Sequence, residues 1–309
     1  MIIASLWKLR LTMLGTLALI ISVTTLLFGA LALYLGADLI VTAILIVTVN
    51  LAQWLFAPFI IDAIYGTMEA DPYEYGYLYD ILEDLSIKSG ISTPKLMISS
   101  IPIPNAFAYG SPLTGNRVAI TKGLLKILDK DEVAAVLGHE LGHLKHKDVQ
   151  LMMFVSLLPS LLFYLGYALS FSRSRENRGL LGVGLILVGY LLQFLVLGLS
   201  RLREYYADAH SAMINDARKL QSALAKIAVA TGYLALKGHN ITEHSQFRAL
   251  FIYDPYASTR DMELLSDTER LITEIKSRKI GLFENIAELF STHPNLVKRI
   301  KALDMFARR

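Results

Sequence analysis

Val136–Phe163 reads VLGHELGHLKHKDVQLMMFVSLLPSLLF. Two histidines four residues apart, His139 and His143, frame Glu140, and an uncharged run opens at Val149. On a helix, positions i and i+4 leave the same face about 6 Å apart along the axis. Two imidazole nitrogens so placed can both reach one tetrahedral zinc ion at about 2 Å. Glu140 projects about 100° away around the turn. It is badly placed to ligate and well placed to act as a general base. His146 lies about 10 Å along the axis from His139, too far for a shared metal on a straight helix. It reads as a polar residue at the edge of a membrane.

The run that follows is one of four. Leu11–Ala37, Leu39–Ile61, Val149–Ser172 and Gly179–Ser200 contain no charged residue. Each exceeds the roughly 18–20 residues that cross about 30 Å of hydrocarbon. Composition agrees: 54% of the 309 residues are apolar and 18% charged, against about 45–50% and 25% in ordinary soluble domains. The first run is too long for a signal peptide's apolar core of about 7–15 residues, so it is expected to remain as a span. A net charge of +3, spread along the chain, gives no footprint for nucleic acid. With no cysteine, disulfides and thiolate metal sites are excluded, and any metal must be held by His, Asp or Glu.

The polar stretches organise around these runs. Asp71-Pro72 opens a helix expected through Ile87, broken by Gly90–Pro94. KLMISS, NAFAYG and RVAIT are short, apolar or alternating, and read as strands. Asp129 with Glu132 forms a capping box that starts the helix carrying the histidines. No proline follows before Pro159, so that helix is expected to run directly into the third span. Arg201–Gly238 reads as a further helix beginning at the membrane, followed by short helices over 262–278 and 283–290. Pro294 suits the first turn of a last helix.

The third ligand must come from elsewhere in the chain. SRLREYYADAH (Ser200–His210) offers Glu204 and Asp208, again four apart on one face. A carboxylate would complete a His₂Glu set and leave a fourth position open, as catalytic zinc requires. Spacing alone equally allows two acids that solvate a surface beside Arg201 and Arg203.

HELGHLKHKD, then SRLREYYADAH after an apolar hairpin, with PNAFAYG upstream and STHPNLVKRI near the end, resembles the HtpX family of membrane zinc metallopeptidases. The same motifs are more distantly similar to the CAAX prenyl proteases. The likeness runs from the N-terminal hairpin to the C-terminal helix. It implies a mostly α-helical, four-span membrane protein with a small β-sheet and a thermolysin-like (gluzincin) zinc peptidase domain. Glu204 would be the third ligand of one Zn²⁺ and Asp208 the acid supporting a ligand histidine. The strand at Asn105, Ala106, Phe107 and Ala108 would run along the cleft and hydrogen-bond an extended substrate. His293 and Arg299 would face the site and stabilise an oxyanion; their plain alternative is a helix cap and a surface charge.

These readings give an expected division into an N-terminal hairpin (1–61), a first peptidase part (62–148), a second hairpin (149–200) and a second peptidase part (201–309). His139 and Glu204 can share an ion only if the second pair of spans returns the chain to the same side. Lys8, Arg10, Lys145, Lys147, Arg201 and Arg203 would make that side cytoplasmic by the positive-inside rule, although Arg173, Arg175 and Arg178 lie in the opposite loop. The expected activity is hydrolysis of peptide bonds in membrane or misfolded proteins at the cell membrane, through a zinc-activated water with Glu140 as base. Processing of a prenylated CAAX-type C-terminus and a non-proteolytic zinc-binding scaffold are the alternatives.

Overall fold

The computed structural model describes residues 39–170, 176–236 and 268–307. The first uncharged run, the arginines at 173 and 175 and the polar stretch around 238–260 lie outside the described residues. Among the described residues, chain contacts give two compact units: one within 39–54 and 150–202, the other within 55–149 and 203–307.

The second unit is built on a four-stranded sheet. Helix α1 (Leu39–Tyr65) leads through Gly66 into β1 (Thr67–Glu69). Helix α2 (Pro72–Ser89) follows, with Asp71 capping its start and Gly90, at φ 68°, ending it in the left-handed region. That conformation costs glycine nothing. Strands β2 (Lys95–Ser99), β3 (Ala106–Ser111) and β4 (Gly115–Thr121) complete a sheet of order β1-β2-β4-β3. β2 and β4 are parallel; β1 and β3 run antiparallel to their neighbours. The three expected strands are present, and β1 is too short to have left a pattern.

Alternation sorts the sheet's two faces. Leu96, Ile98, Ala106, Ala108, Val118 and Ile120 join the main core. Met97, Phe107, Tyr109 and Ala119 pack on the other side with Tyr65, Ile61 and Ile64 from the end of α1. After the single-turn α3 (Lys122–Leu125), α4 (Lys130–Lys145) packs its Val133, Val136, Leu137 and Leu141 into the main core. Its capping box is complete: the Asp129 carboxylate accepts from the Glu132 N–H at 2.8 Å, and Glu132 accepts from the Asp129 N–H at 2.8 Å.

Two expectations about helix ends are corrected. α4 does not run on into the apolar stretch: it stops at Lys145, Lys147 adopts φ 54°, and α5 (Asp148–Ser170) begins anew. A lysine held there costs on the order of 1–3 kcal/mol, so surrounding contacts must over-determine it. Conversely, Arg201 opens no helix. α6 runs unbroken from Glu176 to Ile214, and the break falls at Asn215-Asp216 before α7 (Ala217–Leu236). Asn215 donates its side-chain amide to the Ala134 carbonyl at 3.0 Å, and Asp216 accepts from the Arg218 N–H at 2.8 Å. These local side-chain bonds compete with helix continuation.

α8 (Thr268–Ser277), α9 (Leu282–Leu289) and α10 (Leu296–Ala307) finish the chain. The residue that caps α10 is Asn295, whose side chain accepts from the Val297 N–H at 2.9 Å. Pro294 therefore precedes the cap rather than filling the first turn.

In the first unit, α5 and α6 pack as a hairpin through Leu162, Leu169, Leu185 and Leu192, with Val155 against Val196 and Leu199. Among the described residues, Asp148–Tyr167 and Gly179–Ile214 are the two stretches long and apolar enough to cross a membrane, and only 27% and 28% of their apolar windows is buried. A core helix of a soluble protein would be mostly buried. Phe154, Leu180, Leu187 and Leu191 are among the apolar side chains left exposed.

Close approach of α4 to α6 depends on Gly142. A Cβ there would lie 3.1 Å from Ala207 Cα and 3.2 Å from His210 Cβ. Gly142→Val should therefore cost about 2 kcal/mol through overpacking and lower the thermal midpoint in detergent. Gly76→Ala is the control: no atom lies within 4 Å of its Cβ position, and the substitution should gain up to about 1 kcal/mol from helix propensity. Equal midpoints for the two variants would contradict this packing.

Candidate metal centre

α4 and α6 present their polar residues to each other. Nε2 of His139 lies 3.2 Å from Nε2 of His143. Glu204 closes the group, with Oε2 3.6 Å from His139 Nε2 and Oε1 3.4 Å from His143 Nε2. One ligand atom from each residue falls within 4.8 Å of the others. Spacing left Glu204 open between a ligand and a surface acid; the grouping is the one that the family resemblance implied.

The far side of each imidazole decides its tautomer. Asp208 Oδ1 is 2.9 Å from His139 Nδ1, and Asp148 Oδ2 is 2.8 Å from His143 Nδ1. An ionised carboxylate can only accept, so each ring carries its proton on Nδ1. Both Nε2 atoms are then lone-pair acceptors, facing each other and a carboxylate. Three acceptors converging here repel unless a metal ion, or protons on the imidazoles, lie among them. Glu204 Oε2 is buried and accepts no well-aligned hydrogen bond, although His293 and Arg299 lie close to it. The set fits a divalent ion such as zinc, which takes imidazole and carboxylate together.

Arg299 supports the carboxylates. It is 1% exposed, and donates from Nε to Asp208 Oδ2 at 2.8 Å and from Nη2 to Asp208 Oδ1 at 2.6 Å. Its Nη1 lies 3.3 Å from Glu204 Oε2. His293 is buried with Nδ1 3.0 Å from the same oxygen. The plain alternative of a surface charge for Arg299 is thus excluded by its burial.

Glu140 is buried. Desolvation pushes its carboxyl upward, opposed by His139 and His143 and by the backbone of Ala108 in β3. Among the described residues β3 pairs with β4 alone and stands at the edge of the sheet. Asn105 starts it, donating its N–H to Thr121 Oγ1 at 2.9 Å. The side chains of Asn105, Ala106, Phe107 and Ala108 are all buried; Phe107 stacks on Tyr65 at 4.7 Å between centroids. What this strand can offer is backbone. His146 stays outside the centre, its Nδ1 2.7 Å from the Gly142 carbonyl and its ring edge-on to Tyr206.

Asp148 and Arg203 were not legible as site residues. Asp148 Oδ1 lies 2.9 Å from Arg203 Nε, and both are buried. Asp148 reads in sequence as the polar end of a span, and no spacing rule links it to His143.

Burial alone would lower both imidazoles, but the neighbouring carboxylates outweigh it. His139 is raised above its ordinary value, chiefly by Asp208, and His143 is raised to about 10 by Asp148 and Glu204. In the metal-free protein the two imidazolium forms therefore stabilise the fold below an ordinary histidine pKa, a contribution lost as pH rises through the folded values. A metal must displace those protons. Zinc affinity should accordingly keep rising above pH 7, and binding should release protons. Calorimetry in buffers of different ionisation enthalpy checks this: a binding enthalpy independent of buffer would contradict it.

Comparison with known proteins accords with this geometry. The sequence model of Peptidase family M48 matches residues 72–307. The chain is 40% identical over 292 residues to "Protease HtpX homolog" of Thermoplasma acidophilum, covering 89% of this chain and 90% of that protein. It is 36% identical over 318 residues to "Protease HtpX homolog 2" of Sulfurisphaera tokodaii, covering 96% of each. The crystal structure of S. mikatae Ste24p is similar in fold, with a TM-score of 0.55 at 21% identity, over 97% of this chain and 67% of that one. With the family pattern spanning every residue of the centre, and relatives at this identity along most of its length, the chain belongs to peptidase family M48.

Proposed function

We propose that this chain is a membrane-bound zinc metalloendopeptidase in which His139, His143 and Glu204 hold one Zn²⁺ and Glu140 is the general base. The observation that carries this reading is the convergence of three acceptors on one point, two of them buried and His143 half-buried, beside a buried carboxyl poised upward in pKa. A bound divalent ion would supply Lewis acidity, polarising a scissile carbonyl and making water more acidic. Glu140 would take a proton from that water and deliver it to the leaving amine, a task suited to a carboxyl raised by desolvation. Asp208 fixes the ring of His139. Arg299 contacts both Asp208 and Glu204 and acts by holding those acids. Nε2 of His293 is buried without a hydrogen-bond partner among the described residues, so this ring is the better candidate for the oxyanion.

The edge of β3 supports strand addition by an extended polypeptide along Asn105–Ala108, because main-chain pairing is tolerant of side chains. That tolerance, with span-length apolar helices in the same chain, favours membrane or misfolded proteins as substrates and quality control at the cell membrane as the role. The peptidase parts would be 62–148 and 201–309, with hairpins at 1–61 and 149–200, four spans in all and the catalytic part cytoplasmic. Processing of a prenylated C-terminus is the second reading. It rests on likeness of fold to Ste24p, whereas 36–40% identity to HtpX homologues over most of the chain favours the first.

Glu140→Gln should retain about one zinc per chain, since the ligand set is untouched, and lose casein hydrolysis by about 100-fold or more. Glu204→Ala should lose both metal and activity. Near-normal activity in the first variant would remove Glu140 from its role. Full zinc content in the second would make Asp208 the next candidate ligand.

Sidedness has its own test, eased by the lack of native cysteine. A cysteine at Asn177 should react with an impermeant thiol reagent outside intact cells, and one at Lys88 only after lysis. Protection of both in intact cells would mean that the second hairpin does not cross.

A further inference from the structure

The break between α4 and α5 is placed where a continuous helix would serve the apolar sequence better. In an uninterrupted helix, residue 148 would be turned about 140° from His143, and its carboxylate would point away from the imidazole. Instead Lys147 takes φ 54°, while the N–H groups of His146 and Lys147 still bond back to Gly142 and Leu144. This single left-handed residue breaks the helix, and Asp148 lies 2.8 Å from His143 Nδ1. The Lys147 side chain itself is exposed and has no part in the contact. On its other side Asp148 meets Arg203 at 2.9 Å, one residue before Glu204. A buried carboxylate between an imidazole and a guanidinium is fixed from both sides, and Arg203 supplies a permanent countercharge whether or not the histidine is protonated.

We propose that Asp148, seated by the left-handed turn at Lys147 and pinned by Arg203, is a positioning residue for the metal centre: it sets the ring orientation and tautomer of His143. Asp208 does the corresponding work for His139, so each imidazole has its own carboxylate, delivered by a different element. The inference rests on the reading of His143 as a ligand. Because Arg203 and Glu204 are neighbours on α6, the same turn of helix supplies a ligand and the anchor of the opposite ligand's support. The two histidines and the glutamate are thereby registered to one another before any metal arrives.

The test is zinc affinity of the full-length protein in detergent, measured by competition with a chromophoric chelator, together with the visible absorption of the cobalt-substituted protein. Asp148→Ala should weaken zinc by about tenfold to a hundredfold, the usual cost of losing such a support, and alter the cobalt bands. Asp148→Asn, which keeps an acceptor oxygen, should recover part of the loss, and Arg203→Lys should fall between wild type and Arg203→Gln. Lys147→Gly should match wild type, whereas Lys147→Val, disfavoured at positive φ, should weaken zinc although its side chain touches nothing in the site. Asp148→Ala leaves the Arg203 charge buried and unpaired; if that variant does not fold, the double variant Asp148→Ala/Arg203→Leu removes both charges and takes its place. A folded Asp148→Ala or double variant with wild-type zinc affinity and unchanged cobalt bands overturns the proposal. Wild-type affinity in Lys147→Val overturns the part given to the turn. Loss of zinc in His143→Ala separates this inference from its premise: if His143→Ala keeps zinc, the ligand reading itself has failed.

Discussion

Two imidazole nitrogens 3.2 Å apart, each ring held by a carboxylate behind it and both facing a third, are the constraint around which this protein is arranged. Nothing in a neutral, metal-free interior favours that geometry. It is sustained because each acceptor is fixed from outside: His139 by Asp208, His143 by Asp148, and both acids by arginines that are themselves buried. Removing one partner from such a network leaves a buried charge unpaired, which costs far more than the pair contributes. The network therefore specifies position more than it adds stability.

Backbone packing makes the network possible. Gly142 lets α4 and α6 approach closely enough for side chains of modest length to meet. The capping box at Asp129 and Glu132 fixes where α4 begins, and with it the rotational phase of His139 and His143. On the sheet, the inward face of β3 joins the main core, while Phe107 and Tyr109 bind it to the end of α1. The strand beside Glu140 is thus held on both faces.

Parts of the fold were legible because local chemistry specifies them. Pro72 after Asp71, the Asp129 box, Gly90 and the alternation in β2 and β4 each fix a boundary or a face by short-range sterics and hydrogen bonding. The helix ends at Lys145 and Ile214 were not legible in this way. Lys147 in the left-handed region carries no compositional signal, since lysine is an ordinary helix former. The break at Asn215 depends on a carbonyl of Ala134, distant in sequence. The four-span count likewise rests on hydropathy for the N-terminal part, while two span-length helices stand among the described residues.

By itself, the sequence determined that two histidines share a helix face with a glutamate between them, that any metal must be bound without thiolates, and that long uncharged helices accompany the site. Periodicity and composition suffice for such statements because they concern neighbours along one chain segment. Tertiary structure decided the rest. It brought Glu204 rather than a surface to the imidazoles, turned Arg299 inward onto two acids, and recruited Asp148 and Arg203 through a left-handed residue just beyond α4. Those choices depend on where separate helices cross and how deeply charges are buried. Distance and desolvation in three dimensions, not spacing along the chain, set them.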